Sequence, residues 1–372
     1  MLYVLLTYLV SPALYLLLFF RQRDDIKKIL IIQTAKIGDL ICSTPIFREA
    51  KKKYPNAQLT VMVNPIIKDL LEHNPHIDKV TTIENKDYKG FFGKLKLSNM
   101  IRRGEYDIAI CLNPNVPFAI VLFWALVPIR LSVMPNFTGI TFKLASVFYT
   151  YLEKHISGQL VIETYLKMLK AIGIVSNNIT KEVYKSDTAD IKVHQILGHI
   201  NKPLIGIAVS SGNKLKELGT EKIIRLIDMI LDNMDIYVVL IGSHQDKITV
   251  DTILNLVMRK DRLINGAGML DLKELPALVR RLSLFIGVDT GITYMADALS
   301  IPLINIAGPA DMEDQRPTGK NVVIIQKKDL SCVPCSHAFK APYNCKNGSR
   351  ACIIEVSADS IFKAAKTLLS HA

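Results

Sequence analysis

Asp289 to Pro309 reads D-T-G-I-T-Y-M-A-D-A-L-S-I-P-L-I-N-I-A-G-P. The apolar run before it, Leu284 to Val288, has the length and composition of a buried parallel strand. A small polar turn follows, Asp289-Thr290-Gly291, and then a helical pattern. A strand ending in such a turn presents free backbone N–H groups at the positive end of a helix, where a phosphate can sit. A second strand, Ile301 to Ile306, ends at the tight turn Ala307-Gly308-Pro309 on the same edge of the sheet.

Outward from this stretch the same alternation recurs. In the second half, Leu204 to Val209 and Ile236 to Ile241 read as strands, with helices at Glu221 to Asn233, onward to about Arg259, and at Asp271 to Arg281. In the first half, strands are expected at Ile29 to Gln33, Leu59 to Val63, Lys79 to Ile83 and Tyr106 to Leu112. A helix is expected from Ser43 to Tyr54, with Thr44 before Pro45 as its cap, and a helical pattern from Ile66 to His73. Strands alternating with helices make parallel sheets covered on both faces. Two such series of similar size, divided by the polar stretch Ser176 to Asp190, predict two domains with ligands bound at the carboxyl ends of their strands.

The 372 residues carry a net charge of +12 and are 49% hydrophobic, with a mean hydropathy of +0.25. The positive excess points to an anionic partner. One Trp and no interleaving of aromatic with basic residues argue against nucleic acid. The apolar content favours a membrane surface. Met1 to Phe20 is almost wholly apolar, and Arg21-Gln22-Arg23 follows. No basic residue precedes the run and no small-residue cleavage site follows it, unlike a secretory signal. It is barely long enough to span a bilayer, and Pro12 lies in its middle. A spanning anchor, an in-plane membrane helix and a buried core segment all stay open. The basic residues after the run favour a cytoplasmic main body. Lys89 to Arg103 reads either as a basic amphipathic helix for anionic lipid or as a helix packed on the sheet; Phe118 to Val127 reads as a buried helix.

Asp39, in the turn Thr34-Ala35-Lys36-Ile37-Gly38-Asp39 after the first strand, could take a proton from a substrate hydroxyl or simply tune a helix start. Lys214 or Lys216, in the loop Ser210 to Lys216, could pair with a phosphate or stand in solvent. Gly242-Ser243-His244 ends the next strand and is a weak signal. There is no Walker loop, no G-x-G-x-x-G after a strand and no H-E-x-x-H. Cys332, Cys335, Cys345 and Cys352 cluster as C-x-x-C followed by two more thiols, a pattern open to structural zinc, free thiols or a disulfide.

Together these segments resemble glycosyltransferase family 9, the bacterial lipopolysaccharide heptosyltransferases. The resemblance runs from about Lys28 to the C-terminus. It rests on I-L-I-I-Q-T-A-K-I-G-D-L-I-C-S-T-P (Ile29 to Pro45), G-Q-L-V-I-E-T-Y-L-K-M-L-K-A-I-G-I (Gly158 to Ile174), the loop ending at Lys216, V-V-L-I-G-S (Val238 to Ser243), N-G-A-G-M-L-D-L-K-E-L (Asn265 to Leu275) and D-T-G-I-T-Y-M-A-D-A-L (Asp289 to Leu299). It implies an α/β fold of GT-B architecture, two Rossmann-like domains facing across a cleft. The expected division is a membrane-associating extension at 1–27, an acceptor domain at 28–180, a nucleotide-sugar donor domain with the Cys cluster at 181–355, and a C-terminal helix at 356–372.

The resemblance also implies an inverting, metal-independent transfer of heptose from a nucleotide sugar, ADP-heptose by default. The acceptor would be an anionic lipid-linked glycan at the cytoplasmic face of the inner membrane. Asp39 matches the family's general base, with Lys36 and Gly38 beside it on the acceptor side. Lys216 matches the lysine on the donor phosphate, and Asp289, Thr290 and Gly291 match the diphosphate turn, with Ser210, Ser211, Gly242 and Tyr294 alongside. The chain departs from the family where Tyr294 replaces a His, Leu218 a Trp and Ser210 a Gly; all three departures fall in the donor half. A GT-B epimerase or hydrolase, or a non-catalytic nucleotide-sugar binding protein, are the alternatives.

Overall fold

Hydrophobic strands too short to fold alone are assembled here into two all-parallel sheets. The computed structural model describes residues 2–21 and 25–370 and divides into two units, Met1–Ile179 and Thr180–Ala372. Gln22 and Arg23 of the expected basic flank, Met1, and the last two residues of the C-terminal segment lie outside the described residues.

The first unit opens with helix α1 (Leu2–Phe19) and has strands β1 (Lys28–Gln33), β2 (Gln58–Val63), β3 (Lys79–Thr82), β4 (Ile108–Cys111), β5 (Ile129–Pro135) and β6 (Tyr151–His155). Its other helices are α2 (Ile37–Cys42), α3 (Thr44–Lys53), α4 (Gly90–Gly104), α5 (Val116–Trp124), α6 (Ile140–Ser146) and α7 (Val161–Met168). The sheet order is β3-β2-β1-β4-β5-β6. Strand β1 lies in register between β2 and β4, Ile31 facing Val61 on one side and Ile110 on the other. Five of its six residues are buried because both faces of the sheet are covered, which is why Ile29 to Ile32 reads as an apolar run.

The second unit has strands β7 (Leu204–Ala208), β8 (Tyr237–Ile241), β9 (Leu263–Asn265), β10 (Leu284–Val288), β11 (Leu303–Ile306) and β12 (Val322–Ile325). Its helices are α8 (Asp187–Leu197), α9 (Thr220–Asn233), α10 (Lys247–Leu256), α11 (Leu275–Arg280), α12 (Gly291–Ala298), α13 (Ala351–Ile354) and α14 (Ala358–Ser370). The order is β12-β11-β10-β7-β8-β9. Helix α14 is no separate appendage: Ile361 and Ala365 are buried in the same core as Leu226 and Ile230 of α9.

Several local expectations are corrected. The helix expected from Ser43 is two helices, and the first begins at Ile37, so Asp39 lies on a helix rather than in a turn. Thr44 is not the cap: Ser43 occupies that position and gives its hydroxyl back to the Asp39 carbonyl at 2.7 Å. The Ile66 to His73 pattern is a 3-10 helix over Pro65–Leu71, capped by Asn64. The Asp271 helix starts only at Leu275, after a turn held by the Glu274 carboxylate on the Asp271 N–H, with Pro276 in its first turn. Strands β5, β6, β9 and β12 were not anticipated.

Candidate functional site

In both sheets the chain runs outward from a first strand, then returns to the strand's other side. The reversal lies between β1 and β4 in the first unit and between β7 and β10 in the second. Loops leaving two strands at such a point diverge and open a crevice at the sheet's carboxyl edge.

At the β10 side of the second reversal lies Asp289. The Lys216 ammonium, from the loop after β7, makes an ion pair with Asp289 Oδ2, and the Tyr294 hydroxyl donates to Asp289 Oδ1 at 2.7 Å. Side-chain exposures of 12% and 10% make the Lys216–Asp289 pair nearly buried. Tyr294 is buried on α12, and its hydroxyl also lies 3.1 Å from the Gln315 carbonyl. The Tyr294 phenol therefore steadies the carboxylate. Helix α12 starts at Gly291, and the Thr290 side chain makes no capping hydrogen bond, so its first-turn N–H groups suit an anion.

The loop after β7 is shaped by Asn213, which accepts from the Leu215 N–H at 3.1 Å and donates to the Pro342 carbonyl at 3.0 Å. Both lysines of the loop are ion-paired: the exposed Lys214 with Glu217 at 2.7 Å and the nearly buried Lys216 with Asp289. Ser211 Oγ accepts from the Asn213 N–H at 3.3 Å. Ser210 turns toward the loop after β8. Burial disfavours the charged Asp246 carboxylate, but hydrogen bonds from the Ser243 hydroxyl and N–H and from Ser210, with Lys214 nearby, hold it below its ordinary value. Gly242 sits against this cluster, where an added Cβ would lie 2.9 Å from Val209 Cγ2 and 3.1 Å from Asp246 Cβ. Leu218 packs against the unit's core.

In the first unit Asp39 is the third residue of α2, half-buried, and its carboxylate accepts from the Lys36 N–H at 3.2 Å. Lys36 is exposed and Gly38 buried. Behind Asp39 stands Tyr165 of α7, donating to the Leu112 carbonyl at 3.1 Å. Burial, then the charge of Asp39, push the Tyr165 hydroxyl well above its ordinary value, so it stays a neutral donor. Gln33 closes the end of β1, donating to Ser43 Oγ at 2.9 Å and accepting from the Ala35 N–H at 3.3 Å. Sequence reasoning assigns no role to Tyr165, Gln33 or Asp246; they support site residues from far along the chain or through backbone groups.

All six cysteines are unbridged. Burial first, then neighbouring thiols of the cluster, push Cys335 and Cys352 up, so the four share one neighbourhood. Cys345 lies below its ordinary value because the N–H of Arg350, with those of Asn347, Gly348 and Ser349, points at its sulfur. Such a cradle suits a thiolate, the metal-binding form. Among the described residues, however, the three-ligand group gathered within 4.8 Å is Asp311, Asp314 and His337; no three of the cysteine sulfurs come that close. His337 Nδ1 lies 3.0 Å from Asp311 Oδ2 and 3.4 Å from Asp314 Oδ2, between two buried carboxylates. Only their D-x-x-D spacing could have signalled the cluster.

The family model "Glycosyltransferase family 9 (heptosyltransferase)" matches residues 94–344. Lipopolysaccharide heptosyltransferase 3 of Escherichia coli K12 is 24% identical over 312 residues, 81% of this chain and 88% of the relative. Among solved structures, a family 9 glycosyl transferase from Veillonella parvula superposes with a TM-score of 0.78 at 20% identity, covering 94% of this chain and 99% of that one. E. coli ADP-heptose lps heptosyltransferase II gives 0.71 at 19%, covering 92% and 99%. The fold is therefore GT-B.

Proposed function

The chain belongs to glycosyltransferase family 9 and is a glycosyltransferase, and from that premise we propose that it transfers heptose from ADP-heptose, with inversion, to an anionic lipid-linked glycan acceptor at the cytoplasmic face of the membrane. The first unit is the acceptor domain and the second the donor domain. The observation that carries the reading is the Lys216–Asp289–Tyr294 group beside the start of α12, at the second unit's strand reversal.

A departing nucleoside diphosphate gains negative charge as the glycosidic bond breaks. The Lys216 ammonium and the first-turn N–H groups of α12 are cationic or donor groups already in place, so stabilising that charge needs little reorganisation. Asp289 and Tyr294 position the ammonium. Asp39 accepts the proton of the acceptor hydroxyl as that oxygen attacks the anomeric carbon; the diphosphate leaves with the bonding electrons. Half-buried Asp39 stands in the first turn of α2, where the positive end of the helix favours a negative charge.

No metal is assigned to the transfer. The four cysteines are proposed as a structural zinc site, supported by the C-x-x-C spacing of Cys332 and Cys335 and by Cys345 and Cys352 sharing their neighbourhood; the metal would draw the sulfurs together and order the segment around residues 332–352.

The test is product analysis with a panel of nucleotide sugars, with and without a heptose-acceptor glycolipid. ADP-heptose should raise the melting point by mass action and yield an inverted glycosidic product only when acceptor is present. Turnover of donor to a new sugar nucleotide without acceptor would make the protein an epimerase instead.

A further inference from the structure

Helix α1 is long and apolar enough to cross a membrane, yet its packing says otherwise. Val4, Thr7, Ser11, Leu14 and Leu18 fall on one stripe at three- and four-residue spacing, of which Val4, Thr7 and Leu18 are buried and Ser11 and Leu14 half-buried. Val4 and Leu18 belong to the same core as Phe118, Phe123 and Phe148. Polar bonds fix the helix along its length: Trp124 Nε1 donates to Thr7 Oγ1 at 3.0 Å, the Tyr8 hydroxyl to the Leu144 carbonyl at 2.7 Å, and the Arg21 guanidinium to the Ala125 carbonyl at 3.0 Å. A helix held this way at both ends has no free length left to span about 30 Å of hydrocarbon.

The opposite face is apolar and open: Leu5, Leu9, Leu16 and Phe20 are 52%, 77%, 60% and 77% exposed. Helix α4 flanks the docked side of α1, with the Lys94 ammonium 4.6 Å from the centre of the Tyr3 ring and Phe91 packed edge-on to Trp124 of α5. On α4 and its cap, exposed Phe91 and Phe92 keep company with exposed Lys89, Lys96, Arg102 and Arg103. Apolar surface beside a cationic group is complementary to the headgroup region of an anionic bilayer. It is a poor match for a second copy of a chain whose net charge is +12.

We propose that α1 is not a span but an in-plane membrane helix, an integral part of the first unit, which sinks its outer face and Phe91–Phe92 into one leaflet of an anionic bilayer. This rests on the reading of the enzyme as membrane-associated and specifies how. The acceptor domain would thereby be held against the surface from which a lipid-linked acceptor projects.

The test uses the full chain. Flotation with phosphatidylcholine vesicles, with and without phosphatidylglycerol, should show salt-sensitive binding that needs the anionic lipid. The exposed-face variant Leu5→Ser/Leu9→Ser/Leu16→Ser should lose vesicle binding by at least about tenfold while keeping its melting point. The docked-stripe variant Val4→Ala/Leu18→Ala should lower the melting point, and an unchanged value would overturn the docking. In inside-out membrane vesicles, added protease should remove an epitope placed before Met1 from the same side as one at the C-terminus. An epitope protected on the far side, with binding intact, would make α1 a span and overturn this proposal alone. A protein that ignores every vesicle, or that dimerises through this face, would overturn the membrane reading itself.

Discussion

Replacing Lys216 by Met removes the ammonium and keeps most of the stem. Two losses follow, and they can be separated. The ion pair with Asp289 is nearly buried, with side chains 12% and 10% exposed, so its removal should cost more than a surface pair and less than a fully buried one, about 1–3 kcal/mol. For a unit of this size the melting point should fall by several degrees. If Lys216 also meets the leaving diphosphate, kcat should fall by about 10²–10³, the cost of one preorganised donor, or about 2.7–4 kcal/mol. The assay is release of nucleoside diphosphate at saturating acceptor, beside calorimetry on the same samples. The double variant Lys216→Met/Asp289→Asn decides between bracing and catalysis. With the stranded carboxylate neutralised, the Tyr294 hydroxyl still has an acceptor, and the melting point should recover much of its loss. The rate should not recover. A double variant that regains turnover, or a folded Lys216→Met enzyme within about threefold of the parent, would refute the role given to this lysine.

Other consequences are independent of that one. Asp246 has a folded value below its ordinary 3.8, so its contribution is present above that value and disappears as pH falls through the lower folded one. Melting curves of the parent and Asp246→Asn should therefore differ at neutral pH and converge in acid below about pH 4. Gly93→Ala should improve helix propensity by about 1 kcal/mol yet destabilise overall by about 1–3 kcal/mol, because the new Cβ would meet the Tyr88 backbone carbon at 2.8 Å; denaturant melts give the sign. Purified protein should carry about one zinc per chain by elemental analysis, and Cys345→Ser should lose it. Equal metal content in the variant would remove Cys345 from the site.

The parts of the fold legible in the sequence are those buried on both faces. Strands β1, β7 and β10 are central, so their middles are apolar and the runs stand out from their flanks. The missed strands lie toward or at the sheet edges. In β6, Y-L-E-K-H, the adjacent charges Glu153 and Lys154 break the apolar pattern and only His155 is buried, β9 has three residues, and no residue of β12 is fully buried. Strand β5 hides behind Arg130, 2% exposed, which donates to the carbonyls of Phe148 at 2.6 Å, Val127, and Pro128 at 3.0 Å. Burial pushes its guanidinium down to about 10, a cost that only saturated hydrogen bonding offsets, and no local pattern reveals such partners. Asp39 was read as a turn residue because α2 is only six residues long and contains Gly38. The pairing of Lys216 with Asp289 spans 73 positions and becomes visible only once β7 and β10 are neighbours.

The central claim is that one carboxylate, Asp39, accepts the acceptor's proton while a separate domain holds the donor. Its most direct measurement is the pair of transfer rate and ADP-heptose melting shift for Asp39→Asn. Turnover should drop by about 10²–10⁴ while the donor-induced shift stays at the parent's value. Undiminished turnover in the folded variant would contradict the account.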